Sequence, residues 1–260
     1  MSRHPSASSS SRTDNTRPEA ARLIFFGDPH GEFEPIVEAV QRARPEAIVL
    51  LGDLQANRPL HDELAAIRAL TEIWFIHGNH DTDAESYFDH LWSCELGDRN
   101  LHGRVVQIAG FLVAGLGGIF RESVWDPAIP ATRATHSSAQ TLRRSTPATE
   151  RWRGGVSLRH RSTIFPDDVA RLENKHADIL VTHEGLGGTP HGRPRLDELA
   201  RAMRVKLVVH GHLHQDIDYQ REGRLGDNSR FLAYGIDQGS HLGWPTGPGS
   251  DSPAPLRDRP

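Results

Sequence analysis

Five short clusters in this chain carry groups able to do chemistry: GDPHG (27–31), GDL (52–54), GNHD (78–81), THE (182–184) and GHLH (211–214). Together they supply Asp28, His30, Asp53, Asn79, His80, Asp81, His183, His212 and His214. Carboxylates, an amide and imidazoles, with no thiolate among them, suit borderline divalent ions such as Mn, Fe, Zn or Co. One carboxylate can bridge two ions with its two oxygens. Two ions roughly 3.5–4 Å apart can bind both non-bridging oxygens of a phosphate and acidify a shared water. Glycine ahead of a ligand lets the backbone turn sharply and come close to a metal. Taken singly, each cluster has an ordinary explanation. Gly-Asp is a common turn pair, and a lone strand histidine is usually a hydrogen-bonded core residue, which is how His77 and His210 read. His212 and His214 differ, because an i, i+2 pair points two imidazoles to the same side of a strand or turn. His183 has the weakest local motif, and its support is its place one strand ahead of GHLH.

The elements around these clusters form a regular pattern. Apolar runs at 22–28, 47–53 and 72–81 alternate with helical periodicity at 32–44 and 60–70. Such alternation implies βαβ units with strands buried on both faces. Ligands of such sheets sit beyond the carboxyl ends of the strands, where the first three clusters fall. Two strands are expected around Ala109-Gly110 within 104–118, a helix at 166–176 and a strand at 177–184. A helix at 193–204 with Pro194 near its start, a strand at 205–214, and an antiparallel pair at 216–220 and 230–237 complete the pattern. Between 119 and 165 periodicity is lost. That stretch holds eight arginines (121, 133, 143, 144, 151, 153, 159, 161) against Glu122, Asp126 and Glu150. It reads as a basic insert, either a lid whose arginines clamp phosphate or a solvated excursion.

Length and composition set the limits. The 260 residues suit one large domain over 21–239, flanked by a disordered tail at 1–20 and a flexible Gly/Pro/Ser-rich tail at 240–260. A net charge of −4 gives no global basic field, so nucleic acid is not indicated. No run reaches the roughly 18–20 apolar residues of a membrane span. The single cysteine, Cys94, cannot form an internal disulfide, and with no secretory h-region the expected location is the cytoplasm. No interface is legible, so the oligomeric state stays open.

The order and spacing of the five clusters resemble the calcineurin-like metallophosphoesterases, whose pattern is D-x-H, G-D, G-N-H-D/E, a lone H, then G-H-x-H. The resemblance spans about residues 22–238. It implies a four-layer αββα sandwich with two mixed β-sheets, which periodicity alone does not separate from an open doubly wound sheet. It implies two divalent metal ions (Mn, Fe, Zn or Co, with Mn favoured). One would be held by Asp28, His30, Asp53 and His214, the other by Asp53, Asn79, His183 and His212. His80 would act on the phosphate or leaving oxygen, and Asp81 would orient His80. The implied activity is hydrolysis of a phosphate ester by a hydroxide shared between the metals. Alternatives are a nucleotide phosphodiesterase, a protein phosphatase, and a catalytically silent metal-binding interaction module. The protein phosphatases continue as GD-x-V-D-R-G and G-N-H-E, whereas this chain has GDLQANR and GNHD. Arg58, five residues after Asp53, is the candidate for contacting substrate phosphate.

Overall fold

The computed structural model describes residues 21–129, 134–226 and 229–244. One sheet holds β1 (Leu23–Phe26), β2 (Ala47–Leu50) and β3 (Glu72–Phe75) in parallel, with β10 (His241–Trp244) antiparallel on the outer edge of β1. The second sheet has the order β4 (Arg104–Ile108), β5 (Phe111–Leu116), β6 (Ile179–Thr182), β7 (Leu207–His210), β9 (Leu232–Gly235) and β8 (Ile217–Asp218). Its four inner strands are parallel and both edges are antiparallel. Two mixed sheets with helices outside make the expected αββα sandwich.

Strand alternation builds these layers. Leu23, Phe25, Ala47, Val49 and Trp74 meet Val113, Ile179, Val181, Leu207 and Val209 in the core between the sheets. The intervening residues Ile24, Phe26, Ile48, Leu50 and Phe75 face Ile36, Val40, Leu60 and Leu64, on α1 (Glu34–Ala43) and around α2 (Leu60–Glu63). On the far side, Ala114, Leu180 and Val208 pack on Val169, Leu172, Leu196 and Leu199, from α5 (Pro166–Glu173) and α6 (Pro194–Met203). Strands buried on both faces are continuously apolar for this reason, and each such side chain stabilises by about 1.5–3 kcal/mol.

Four elements differ from the sequence reading. The 60–70 segment is α-helical only over Leu60–Glu63. Beyond it Ala65, Ile67 and Leu70 bond to carbonyls three residues back, a tighter winding that still buries Leu64 and Ile67. Residues 241–244, assigned to the C-terminal tail, form β10, because Leu242 and Trp244 enter the inter-sheet core. A helix α3 (Glu85–Trp92) follows the third cluster, its Leu91 fully buried. The insert carries α4 (Ala139–Ser145) and 3-10 turns at Ala148–Glu150 and Leu158–Ser162. Phe120, Val124, Val156 and Ile164 are buried, so its ends are part of the body. The two tails at 1–20 and 245–260, and Arg133, lie outside the described residues.

Candidate metal centre

β1, β2, β3, β6 and β7 deliver their C-terminal loops to one end of the sandwich. Asp28 and Asp53 are buried there, and His183 is fully enclosed. His30, Asp53, His212 and His214 all adopt positive φ (45°, 47°, 66° and 49°). That conformation is costly for residues with a Cβ and clusters at functional sites. Gly78 shows how tight the approach is. A Cβ there would sit 2.2 Å from Asp53 Oδ1 and 2.4 Å from the Asp53 amide nitrogen.

The side chains converge into two groups with Asp53 in common. His30, Asp53 and His214 place ligand-competent atoms within 4.8 Å of one another, as do Asp53, His183 and His212. His30 Nε2 faces His214 Nε2 at 3.1 Å, and Asp28 Oδ2 is 3.5 Å from His214 Nε2. His183 Nε2 lies 3.2 Å from Asn79 Oδ1 and 3.3 Å from Asp53 Oδ2. Its Nδ1–H donates to the Leu51 carbonyl at 2.9 Å, which fixes the tautomer and turns Nε2 inward. His30 Nδ1 is likewise held by Gln55 Oε1 at 2.5 Å.

This donor set fits divalent cations. Asp28 Oδ1 is buried with no hydrogen-bond partner, while Oδ2 accepts the His212 amide at 2.6 Å. Burial and the Asp53 charge raise the Asp28 carboxyl, against the pull of His183. Burial would raise Asp53 too, but His183 draws it below the carboxylate range. His183 would be lowered by burial, yet Asp53 and Asp28 push it up to about 10. His212 is pushed down to about 3 by burial and the His183 charge. Buried carboxylates that force an imidazole to carry their compensating charge make a site that wants cations.

These observations have a match among known proteins. Residues 21–216 match the family model of the calcineurin-like phosphoesterases. The chain belongs to that family. Likeness of fold also links the chain to solved structures. TT1561 of Thermus thermophilus aligns at TM-score 0.50 and 17% identity, over 84% of this chain and 90% of its own. A second solved structure aligns at TM-score 0.50 and 12% identity, over 85% and 94%. Among curated sequences, an uncharacterized protein of Haemophilus influenzae is 43% identical over 198 residues, covering 76% of this chain and 85% of that one.

One pairing differs from the expectation, that of Asp81 with His80. The Asp81 carboxylate accepts the amides of Gln55 and Gly78, each at 2.8 Å, and is fully buried beneath the turn. His80 is instead held by Asp83, Nδ1 to Oδ2 at 2.6 Å. The physical reason is the 3-10 turn His80–Thr82, which brings side chains three apart onto one side. The His80 backbone amide donates to Asp53 Oδ1 at 2.8 Å. Burial lowers the His80 imidazole, but Asp83 and Asp53 together more than reverse this and leave it raised. Arg58 pairs with Glu63 at 2.8 Å, and its side chain is 63% exposed. Gln55 and Asp83 are the site residues that motif reading missed. For Asp83 the signal was the His-x-x-Asp spacing. His210, between the Gly211 carbonyl and Tyr219 hydroxyl, and His77, bonded to Asn100, are supports, as expected.

Proposed function

We propose that this protein is a two-metal phosphoester hydrolase. The observation that carries the reading is Asp53, one carboxylate common to two clusters of candidate ligands. In this reading Asp28, His30, Asp53 and His214 hold one divalent ion. Asp53, Asn79, His183 and His212 hold the other. Several ions suit these donors, Mn among them. Bound ions would supply charge neutralisation for the phosphoryl oxygens and lower the pKa of a water nucleophile.

The chain's own groups do the rest. Asp83 fixes His80 through Nδ1, which leaves Nε2 to present a proton to the phosphate or the departing oxygen. The side chain of His80 is 45% exposed, so an ester can reach it from solvent. Asp81 holds the turn through the Gln55 and Gly78 amides and so places Asn79 and His80 correctly, a positioning role. A catalytically silent binding module accounts less well for a complete ligand set with His80 present and oriented.

The test is metal content of the purified protein, then hydrolysis of para-nitrophenyl phosphate and its bis ester with added manganese. Wild type is run beside Asp53→Asn. Expected are up to two metals per chain and metal-dependent turnover, both lost in the variant. The preferred ester separates phosphatase from phosphodiesterase. Wild-type turnover by Asp53→Asn with metals removed would sink the two-metal reading.

A further inference from the structure

The 119–165 insert returns to the metal centre at one place. Its 3-10 turn at Leu158–Ser162 packs against the His80–Thr82 turn, and the buried hydroxyls of Ser162 and Thr82 share a hydrogen bond of 2.7 Å. Arg121, at the start of the insert, donates from Nη2 to Ser162 at 3.2 Å and from Nε to Thr163 at 3.1 Å. His160 Nδ1 lies 3.0 Å from the same Thr163 hydroxyl. Arg159 is exposed, its carbonyl accepts from Ser162 Oγ at 3.3 Å, and its guanidinium makes no ion pair among the described residues. Arg121 Nη1 and His160 Nε2 have no hydrogen-bond partner there either.

We propose that Arg121, Arg159 and His160 form an anion subsite beside His80, so that the ester acted on carries a second phosphate beyond the scissile one. This rests on the phosphoesterase reading and names its substrate class. Arg121 and Arg159 are the two fixed positive charges of the group, and like charges gathered without a paired acid cost free energy unless an anion joins them, while His160 offers a neutral N–H. Burial lowers Arg121, and Arg159 lowers it further, while Asp83 and Glu184 act against this. Those two acids are committed elsewhere, Asp83 to His80 and Glu184 to Arg193. Burial also lowers His160, and Arg121, Arg159 and His136 add to the effect. A guanidinium with a free edge is the side chain suited to bidentate capture of phosphate.

The test uses flexible probes that differ only in the second phosphate. Binding of propyl phosphate and of the bisphosphates of propane-1,3-diol and hexane-1,6-diol is measured by calorimetry on the manganese-loaded protein. At least one bisphosphate should bind about 10-fold or more tightly than propyl phosphate, a margin of about 1.4 kcal/mol. Arg159→Gln and His160→Gln should each reduce that margin severalfold. Arg144→Gln, which removes an exposed insert arginine on α4, should retain it. Equal binding of all three probes by wild type overturns the subsite. So does a margin that survives Arg159→Gln and His160→Gln, or one that Arg144→Gln abolishes equally. A preserved margin with no hydrolysis of any ester would overturn the enzyme reading and leave the subsite standing.

Discussion

His80 Nδ1 sits 2.6 Å from Asp83 Oδ2, while the carboxylate of Asp81, its immediate neighbour, points beneath the turn to the amides of Gln55 and Gly78. The two acids therefore have separable duties. One orients an imidazole at the mouth of the site, and the other holds the backbone that carries Asn79 and His80.

Asp83→Asn should lower kcat about 10–100-fold, the usual cost of removing a group that orients a reactive side chain. Burial lowers His80, Asp83 and Asp53 together raise it past that, and the proposed role needs His80 protonated, so activity falls as pH rises through its pKa. The basic limb of the kcat profile should accordingly move to lower pH in Asp83→Asn. Asp81→Asn should behave differently. It sets an amide N–H against buried backbone donors, costing about 1–3 kcal/mol, and should show first as a lower melting temperature. A pH profile for Asp83→Asn that superimposes on wild type would remove Asp83 from the mechanism.

His80→Ala should cost more than either, about 100–10,000-fold in kcat if it transfers the proton, with metal content retained. Metal analysis beside kinetics is the check. Loss of metal along with activity would mean that His80 builds the site rather than acting in it.

Gly78→Ala probes how closely the third cluster packs on the second. The added methyl would lie 2.2 Å from Asp53 Oδ1 and 2.6 Å from His183 Cε1. Asp53 and His183 must both shift. Overpacking of this kind costs about 1–3 kcal/mol, and here the strain falls on two candidate ligands. Metal content should drop in a protein that still unfolds cooperatively. Full metal content would show that the turn relaxes without moving Asp53.

How much of this could be read in the chain itself follows from what each element buries. Phe25, Val49 and Val181 lie on strands covered on both faces, so their runs are continuously apolar, and the Gly-Asp and histidine ends stand out. β10 was illegible because four residues, HLGW, sit among glycines and their one strong signal, Trp244, needs a partner about 200 residues away. The assignment of Asp81 to His80 was misled by adjacency. Which of two flanking acids reaches the ring depends on the local winding, and the 3-10 turn selects Asp83. The insert hid for a third reason. Part of its attachment runs through Ser162–Thr82 and Arg193–Asp126, contacts between polar residues far apart in sequence that leave no periodicity.

Metal removal should expose the charge imbalance of the site. Burial lowers His183, but Asp53 and Asp28 raise it to about 10 from 6.5. A histidine with a raised folded value contributes stability that is full below about 6.5 and lost as pH rises through about 10. Chelator-treated protein should therefore melt at progressively lower temperature between pH 7 and 10, by about 2–4 °C for each kcal/mol lost. With manganese added, bound ions would take over the neutralisation, and that part of the pH dependence should flatten. Thermal denaturation with chelator and with manganese across this range is the measurement, and parallel curves would count against charge compensation by His183.

The outer part of the insert is fastened to α3 by Arg153. Its Nη2 donates to Asp89 at 2.9 Å and to Glu85 at 3.1 Å, and its guanidinium lies 4.3 Å over the Trp152 ring. Trp152 in turn meets Phe88 edge-on at 4.9 Å, and Phe88 stacks on Trp92 at 4.3 Å. Arg153 is exposed, so its removal should change the melting temperature little. Its effect should be local, because release of one clamp lets a surface segment open without global unfolding. Limited trypsin digestion of Arg153→Ala should cut faster at Arg143, Arg144 and Arg151 than in wild type, with metal content unchanged. Trp152→Ala should accelerate the same cuts and also lower the melting temperature, since it strips the aromatic stack as well. Cleavage of Arg153→Ala at the wild-type rate would show that the buried ends of the insert, through Phe120, Val124 and Ile164, hold it without the clamp.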